Sequence, residues 1–339
     1  MDATIARRPD APGLFLALAP MDGVTDAVYR EVLTDLFGGR SGISACVSEF
    51  VRVCRDPLPA KVLLRAVPEL RQGGLTRAGV PVHLQLLGGD PRPLAATAAI
   101  AAALGAPAID LNFGCPAKTV NNHDGGATLL KAPPRIAGIV AAVREAVPPA
   151  IPVSAKIRIG WESGDGIEAI VDAAAAGGAA WITVHARTRA QGYKPPVHWQ
   201  AIGRAALRSP APIVANGDLF TPEDLQACAA VSGARAFMIG RGSMAAPELF
   251  ARVRGERAAA MGLGELAELW RIYYERLLAA GAPPPRALCR VKQWLRYGGE
   301  RSPAIAGIFA EAKTAAAWAE VEAAIERALA SDRPARGAA

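Results

Sequence analysis

The sequence predicts a (β/α)8 TIM barrel followed by an all-helical C-terminal domain. From Leu14 to about Arg254 the chain repeats one unit, a short apolar run followed by an Ala-rich helical segment, and this unit occurs eight times. A stretch of roughly 240 residues is the usual length of such a barrel. Beyond residues 254–263 only helical segments remain. The alternation leaves one alternative open, a doubly wound open sheet.

The predicted strands are apolar and rich in β-branched residues, as strands that are buried on both faces should be. They cover residues 15–19, 43–50, 82–87, 108–111, 153–157, 181–185, 213–215 and 236–239. The helices between them begin at recognisable signals, because proline suits the first helical turn and Thr or Asp suits the cap. The predicted helices are 26–37 (capped by Thr25), 94–104, 135–147, 166–176, 224–231 and 243–253, then 265–280, 286–297, 303–315 and 317–329.

This pattern divides the chain into four predicted parts. Residues 1–13 are an N-terminal extension, residues 14–255 form the barrel, residues 262–330 form the helical domain and residues 331–339 are a tail. The net charge of +7 over 339 residues is compatible with a nucleic-acid or phosphate partner. No apolar run is long enough for a membrane span or a signal peptide, so we expect a cytoplasmic protein. No exposed apolar stripe stands out, which favours a monomer.

The five cysteines signal neither a disulfide framework nor a metal site, because they are widely spaced and form no C-x-x-C pair. Four of them, Cys46, Cys54, Cys228 and Cys289, lie in apolar or helical surroundings and are expected to be buried and inert. The fifth, Cys115, lies between a glycine and a proline where the fourth strand ends. A polar loop follows it, and a loop of that length in a tight α/β pattern is often functional.

In a barrel of this kind the active site lies at the C-terminal ends of the strands. Every predicted strand ends in small or polar residues instead of packing residues. They include Pro20, Met21, Asp22, Ser48, Glu49, Gln85, Asn112, Cys115, Lys156, Arg158, His185, Arg187, Asn216, Gly217, Asp218, Gly240 and Arg241. The turns 216–218 and 240–242 end the last two strands, where barrels often bind phosphate through backbone N–H groups, and Arg241 adds a guanidinium. A pair of tight turns without a ligand is the alternative.

Lys156 and Gln85 favour a flavin. A lysine on an interior strand is costly unless an anion or a polar cofactor meets it. A cation at that position would stabilise the reduced flavin ring, and Gln85 could offer a donor and an acceptor to the same edge. Gln85 could equally be a hydrogen-bonded core amide. Together with the two phosphate turns, these residues predict bound FMN, whereas no G-x-G-x-x-G motif predicts a resident dinucleotide.

Cys115 is the remaining reactive group of the predicted site. As a nucleophile it would need a neighbouring base and a lowered pKa. As a general acid it should remain protonated, and the ordinary thiol pKa of about 8.5 suits that role. Beside a flavin, the thiol could protonate a carbon from the face opposite to the one that receives hydride. A buried structural cysteine is the alternative.

The strand-end sequences resemble those of the tRNA-dihydrouridine synthases. The similar segments are residues 19–26, 110–116, 154–160, 184–188, 215–218 and 239–242, and the likeness extends from about Leu14 to Ala328. Residues 48–53, 118–121, 125–131 and 290–295 are most similar to the bacterial C subgroup, which reduces uridine 16 in the D-loop of tRNA. The chain departs from the pattern in its longer N-terminus, in Phe113 and in the polar insert 122–124.

The resemblance implies bound FMN, NADPH as the hydride source and a C-terminal helical domain that orients tRNA. The implied FMN ligands are Pro20, Met21, Asp22, Gln85, Lys156, Asn216, Gly217, Asp218, Gly240 and Arg241, with His185 close to the flavin and the uracil. Asn112 and Arg158 are implied at the uracil edge, and Cys115 is implied as the proton donor to C5 after hydride reaches C6. The implied tRNA contacts are Arg52, Arg290, Lys292 and Tyr297.

The C-terminal residues support an RNA partner independently of this resemblance. Residues 284–301 carry five basic side chains against the single acidic Glu300, and Trp294 and Tyr297 could offer stacking faces. A solvated helix with a buried tryptophan is the alternative. Two other functions also remain open, a flavin enzyme of dihydroorotate-dehydrogenase type acting on a free pyrimidine and a tRNA-binding protein without catalysis.

Overall fold

Residues 8–38, 42–121 and 124–332 are described by the computed structural model, and their strands form one parallel sheet that closes on itself. The strands are β1 (Phe15–Leu18), β2 (Ala45–Val47), β3 (Val51–Arg52), β4 (Val82–Leu87), β5 (Ile109–Asn112), β6 (Val153–Arg158), β7 (Ile182–His185), β8 (Ile213–Asn216) and β9 (Ala236–Ile239). Their order is β2-β1-β9-β8-β7-β6-β5-β4-β3, and β2 also pairs with β4. This last pairing closes an eight-stranded barrel and excludes the open sheet. The predicted strand 43–50 is replaced by β2 and by the separate β3, which pairs with β4 alongside the barrel.

Helices follow the strands in the expected alternation. In the barrel they are α1 (Ala27–Phe37), α2 (Ala60–Ala66), α3 (Pro91–Ala103), α4 (Lys118–Asn121), α5 (Pro133–Ala146), α6 (Ile167–Ala176), α7 (Trp199–Arg208), α8 (Pro222–Ser232), α9 (Gly242–Ala245) and α10 (Leu249–Val253), with 3₁₀ turns at Pro68–Gln72 and Gly126–Lys131. The C-terminal helices are α11 (Leu263–Ala279), α12 (Pro284–Gly299), α13 (Pro303–Ala312) and α14 (Trp318–Asp332). Among these helices, none is long and apolar enough to cross a bilayer.

Several local expectations were wrong. Thr25 does not cap α1: the Asp26 carboxylate accepts the Tyr29 N–H at 2.8 Å, and the Thr25 hydroxyl accepts the Met21 N–H within the preceding turn. The predicted helix 243–253 is two short helices, α9 and α10, and α2 and α7 were not predicted. Cys54 and Cys289 are exposed, because each lies on the outward side of its segment, whereas Cys46 and Cys228 are buried as expected.

The barrel interior is filled by alternate residues of the strands, since successive side chains of a strand point to opposite faces. Phe15 and Ala17 of β1 pack inside the barrel with Met238 of β9, whereas Leu16 and Leu18 pack outward against the helices. Five of the ten buried residues of this inner cluster are alanine. The polar residues that remain for chemistry are therefore those at the strand ends.

The C-terminal helices pack on the barrel through an aromatic cluster. Tyr29 of α1 lies edge-on to Tyr273 of α11 and Trp294 of α12, with ring centroids 5.9 and 4.7 Å apart. The Trp294 indole N–H donates to the Met244 carbonyl of α9 at 2.9 Å. Trp294 is fully buried. It therefore offers no face for stacking, and the alternative of a buried tryptophan is the correct one.

Candidate active site

A cleft lies at the C-terminal ends of the barrel strands, and most of the predicted site residues line it. Those that line it are Pro20, Met21, Asp22, Asn112, Cys115, Lys156, Arg158, His185, Asn216, Gly217, Asp218, Gly240 and Arg241. Gln85, Arg52, Arg290, Lys292 and Tyr297 do not line it. The barrel topology explains the first group, because parallel strands present all their carboxyl ends at one face.

Asn112 fixes the turn that carries Cys115. Its side-chain oxygen accepts the backbone N–H groups of Gly114 at 3.0 Å and Cys115 at 2.9 Å, and its amide nitrogen donates to Gln85 Oε1 at 2.8 Å. The Cys115 side chain is half-buried and faces the cleft. Burial raises the pKa of its thiol, so the proton is retained at neutral pH.

Gln85 lies beneath this turn and is fully buried. Its amide nitrogen donates to Asp110 Oδ2 at 2.7 Å, while its oxygen accepts from Asn112. Asp110 also accepts the Ser154 hydroxyl at 2.6 Å, and burial raises the pKa of its carboxyl group. Both polar atoms of the Gln85 amide therefore have partners within the chain. Gln85 behaves as a hydrogen-bonded core amide that positions Asn112.

Lys156 extends from β6 into the cleft, where its ammonium group donates to Asn216 Oδ1 at 3.1 Å. The Asn216 amide in turn donates to the Met238 carbonyl at 2.8 Å, which fixes the acceptor. Burial, with the neighbouring Arg158 acting in the same direction, lowers the pKa of Lys156 to about 8. A cation held in such surroundings is prepared to meet an anion or a strongly polarised group.

Arg158, two residues further along β6, is anchored by three backbone carbonyls. Its Nε donates to Gly114 at 2.8 Å, and its Nη1 donates to Thr188 at 3.0 Å and Gly192 at 2.7 Å. The guanidinium thus ties the cysteine turn to the loop that follows β7. Its central carbon also lies 5.2 Å from the ring centroid of Tyr193.

His185 ends β7 and is neutral. Burial and the neighbouring cations, chiefly Arg158 and Lys156, lower its pKa well below the usual histidine range. Its buried Nδ1 has no hydrogen-bond partner in the described part of the chain. An unpartnered buried polar atom is costly, so this nitrogen marks a position where a bound molecule would complete the site.

The strand-end turns after β8 and β9 surround a pair of arginines. The Asp218 carboxylate accepts from Arg187 and Arg241, each at 2.8 Å. Burial alone would raise the pKa of Asp218, but the two guanidinium groups outweigh it and lower that pKa. Gly217 has φ +121, a conformation that favours glycine. Neither the Gly217 nor the Arg241 backbone N–H donates to another described residue.

Three aromatic residues of the cleft were not predicted as site residues from the sequence. Phe50 and Phe220 line it, and Tyr193, whose side chain is 56% exposed, lies over the guanidinium groups of Arg158 and Arg241. Tyr193 also meets the edge of His185, with the rings perpendicular. All three lie in loops, and the only available signal was an aromatic residue in a polar segment after a strand.

The four residues expected to contact RNA lie outside the cleft, and each contacts other parts of the chain. Arg290 pairs with Asp26 at 2.8 Å and is 3.8 Å from Glu49. The Lys292 ammonium group donates to the carbonyls of Lys313 and Ala315 at 3.1 and 2.9 Å, within the C-terminal helices. Tyr297 is half-buried, and Arg52 lies in a separate groove. Of the polar insert, residues 122 and 123 lie outside the described residues, as do residues 1–7 of the extension.

The end of α12 nevertheless reaches the cleft. The Arg301 guanidinium lies 4.0 Å from the ring centroid of Phe220, a residue of the cleft wall. Glu300 lies 3.4 Å from Arg241, which belongs to the strand-end turn after β9. The C-terminal helices therefore form one side of the cleft's rim.

The strands form a closed parallel barrel, which is the architecture of a TIM-barrel enzyme. A thiol, a lysine of lowered pKa and a pair of arginines lie at the strand ends of this barrel. A family model described as "Dihydrouridine synthase (Dus)" matches residues 17–327. The chain belongs to the dihydrouridine synthase family.

Similar curated proteins carry a more specific name. The chain is 46% identical over 300 residues to "tRNA-dihydrouridine(16) synthase" of Pseudomonas putida, covering 87% of this chain and 91% of that protein. It is 46% identical over 322 residues to the protein of the same name from Ralstonia nicotianae, covering 93% and 96%. Among solved structures, histamine dehydrogenase from Rhizobium sp. 4-9 shares the fold, with a TM-score of 0.54 and 12% identity over 72% of this chain and 46% of that one.

Proposed function

We propose that this protein reduces the C5=C6 bond of uridine 16 in the D-loop of tRNA, with bound FMN and with NADPH as the source of hydride. Membership of the dihydrouridine synthase family and the names of its relatives support the reaction and the position. The observation that carries the proposal is the Cys115 thiol, which shares one cleft with the Lys156 ammonium group and the strand-end turns. Because the substrate is tRNA, we place the protein in the cytoplasm.

The residues of the cleft fit FMN. The turns at Gly217 and Gly240–Arg241 offer unpaired N–H groups and a guanidinium, which suits a phosphate. Lys156 would lie at the pyrimidine edge of the ring, and the unpartnered Nδ1 of His185 would gain a partner. The remaining proposed FMN contacts are Pro20, Met21, Asp22, Asn216 and Asp218. Gln85 would act indirectly, through Asn112.

The chemistry then divides between the cofactor and the chain. Bound FMN supplies the hydride that reaches C6 of the uracil. Cys115 donates its proton to C5, since its raised pKa keeps the thiol protonated until negative charge develops there. Asn112 and Arg158 orient the uracil edge beside the thiol, because both line the cleft and are held by backbone groups. Solvent returns the proton to the thiolate after product release.

The tRNA contacts are proposed on the exposed face of α12. Leu288, Val291 and Leu295 of this helix face the core, so Arg286 and Arg296 project to the opposite side. Arg301 extends this basic face to the cleft rim beside Phe220. A uridine in folded tRNA must leave its stack to enter the cleft, and contacts with the RNA backbone offset that cost. Arg290 and Lys292 would hold α12 in place through their bonds to other parts of the chain, Asp26 for Arg290 and the carbonyls of Lys313 and Ala315 for Lys292.

The decisive experiment is to map dihydrouridine in tRNA from cells that lack this protein and from cells that carry Cys115→Ala. We expect position 16 to be unmodified in the deletion strain. Purified Cys115→Ala should bind FMN like the wild type but form dihydrouridine about 10² to 10⁴ times more slowly, the usual contribution of a positioned general acid. Full turnover by this variant would exclude the thiol as the proton donor.

Two outcomes would replace the proposal. Reduction of free uracil or oxidation of dihydroorotate without tRNA would indicate an enzyme for small pyrimidines. A purified protein that is colourless and takes up no FMN, yet binds tRNA, would indicate a binding protein without catalysis. We also expect a monomer, which sedimentation of the FMN-loaded protein would test.

A further inference from the structure

A second concave site lies outside the cleft, bordered by the end of β3 and the residues after it, by the N-terminus of α3 and by α5. This groove has a volume of about 810 Å³. Its floor is apolar and is formed by the buried side chains of Val53, Leu87, Val120 and Ile139. The face of one nucleobase could pack on such an aliphatic floor, because this contact is apolar and requires no particular base.

The rim of the groove is basic. Arg52, Arg55 and Arg92 line it, and none of them forms an ion pair with another described residue. The two acidic residues of the rim are already engaged: Asp124 is paired with Arg135 at 2.6 Å, and Asp90 accepts the Arg92 backbone N–H at the start of α3. Asp90 keeps its charge, but four arginines and two aspartates line the groove, so the rim has an excess of two positive charges, which suits a phosphate.

The groove and the cleft share one wall. Phe50 lines the cleft, and Arg52, two residues later, lines the groove. On the other side Pro116 lines the cleft and Val120, four residues later, lines the groove. Two residues of extended chain span only about 7 Å, so the two sites adjoin each other across this wall.

We propose that the groove binds the nucleotide next to the reacting uridine in tRNA, with its base on the apolar floor and its phosphate on Arg52, Arg55 and Arg92. This inference rests on the proposed function, because it takes the neighbouring nucleotide from the same substrate. The groove would hold the RNA strand in register while the target base enters the cleft. It would thereby contribute to the choice of the uridine that is reduced.

Gly138 of α5 gives a direct test. It lines the groove, and an added Cβ would have nothing within 4 Å, so a side chain at this position starts from open space and extends into the groove. Gly138→Phe should fill the groove and weaken binding of an unmodified tRNA transcript by about tenfold, the range of one lost base stack. Gly138→Ala is the matched control, since it leaves the groove open, and it should bind the transcript as the wild type does.

A charge series provides a second readout. Arg52→Gln and Arg92→Gln should each weaken tRNA binding and lower the slope of log affinity against log salt by about one. Arg235→Gln is the control, because Arg235 is exposed at the opposite end of the barrel, just before β9. It should change neither quantity.

Flavin reduction by NADPH without tRNA shows whether the groove binds a nucleotide of tRNA or the dinucleotide NADPH. All groove variants should be reduced at the wild-type rate. If Gly138→Phe slows reduction and leaves tRNA affinity unchanged, the groove binds the dinucleotide and the inference is wrong. If it changes neither, the groove binds no nucleotide and the inference is also wrong. Failure of the wild type to modify tRNA would instead overturn the proposed function.

Discussion

The Arg290 guanidinium lies 2.8 Å from the Asp26 carboxylate, so α12 is joined by an ion pair to the residue that caps α1. Both side chains are largely buried, with 13% and 20% of their surfaces exposed. The Tyr273 hydroxyl of α11 adds a long hydrogen bond of 3.4 Å to the same carboxylate. A basic residue that resembles an RNA contact therefore has a structural partner on the barrel.

Replacing the Asp26 carboxylate should separate its two contributions to stability, the cap on α1 and the ion pair with Arg290. Asp26→Asn should keep the helix cap, because Asn and Asp cap equally well, but it removes the nearer of the two carboxylates beside Arg290 and leaves only Glu49 at 3.8 Å. We expect the free energy of unfolding to fall by about 1 to 3 kcal/mol, less than for a fully buried pair. Denaturant unfolding followed by tryptophan fluorescence would measure it.

The double variant Asp26→Asn with Arg290→Gln is the control for this pair. It should recover only part of the loss, since no guanidinium is left without the Asp26 carboxylate but Glu49 loses its ion-pair partner. Asp26→Asn with a wild-type unfolding midpoint would show that the ion pair does not stabilise the contact between α12 and the barrel.

The proposed role of Cys115 as proton donor predicts how the rate of reoxidation by tRNA depends on pH. Burial raises the pKa of Cys115, and a thiol donates a proton only below its pKa. Single-turnover reoxidation of the reduced protein by tRNA should therefore stay constant into the alkaline range and fall only above the ordinary thiol pKa of about 8.5. Cys115→Ser should be slower and should lack this fall, because a hydroxyl does not ionise there. A wild-type midpoint at or below the ordinary value would contradict a shielded thiol.

Lys156 should make stability depend on pH in the apoprotein. Its pKa is about 8 in the folded protein against an ordinary lysine value of 10.5, so between these values the unfolded chain holds a proton that the folded chain has released. The free energy of unfolding must then rise with pH across this window and be lower below it. Lys156→Met lacks this contribution. The free energy of unfolding of the wild type minus that of the variant should therefore increase from about pH 8 upward. Parallel stability profiles would show that Lys156 has an ordinary pKa.

The basic face of α12 should govern the salt dependence of tRNA binding. Arg286→Gln with Arg296→Gln should weaken binding and lower the slope of log affinity against log salt by about 0.7 to 0.9 for each lost phosphate contact. Lys292→Met should leave the slope unchanged, because the Lys292 ammonium group binds the carbonyls of Lys313 and Ala315. It should instead lower the free energy of unfolding by about 1 kcal/mol. Equal slopes for all variants would place the RNA elsewhere.

Much of the barrel could be predicted from the sequence, because closure needs only short apolar strands in regular alternation with helices. The strand ends could be predicted for the same reason: parallel strands carry all their carboxyl ends to one face, so Cys115, Lys156 and Arg241 had to lie close together. The order of the elements alone requires this. No side-chain detail is needed.

The partners of polar side chains could not be predicted from the sequence. Gln85, with an amide that suits a ligand, is covered by Asn112 and bonded to Asp110. Arg290 has a carboxylate 264 positions away in the chain. Tyr193 enters the cleft from a long loop whose path no periodicity describes. In each case the partner is set by tertiary packing, which a local pattern cannot express.

The hydrogen bond from Trp294 to Met244 has a consequence for evolution. It fastens the last quarter of the molecule to the short helix that follows the strand-end turn of β9, beside aromatic rings from α1. A shortened polypeptide that stopped at Arg254 would leave those rings and a carbonyl bare to water, and it should aggregate. Natural variation in the two regions must therefore be correlated, and a barrel transplanted between relatives would need its matching helices.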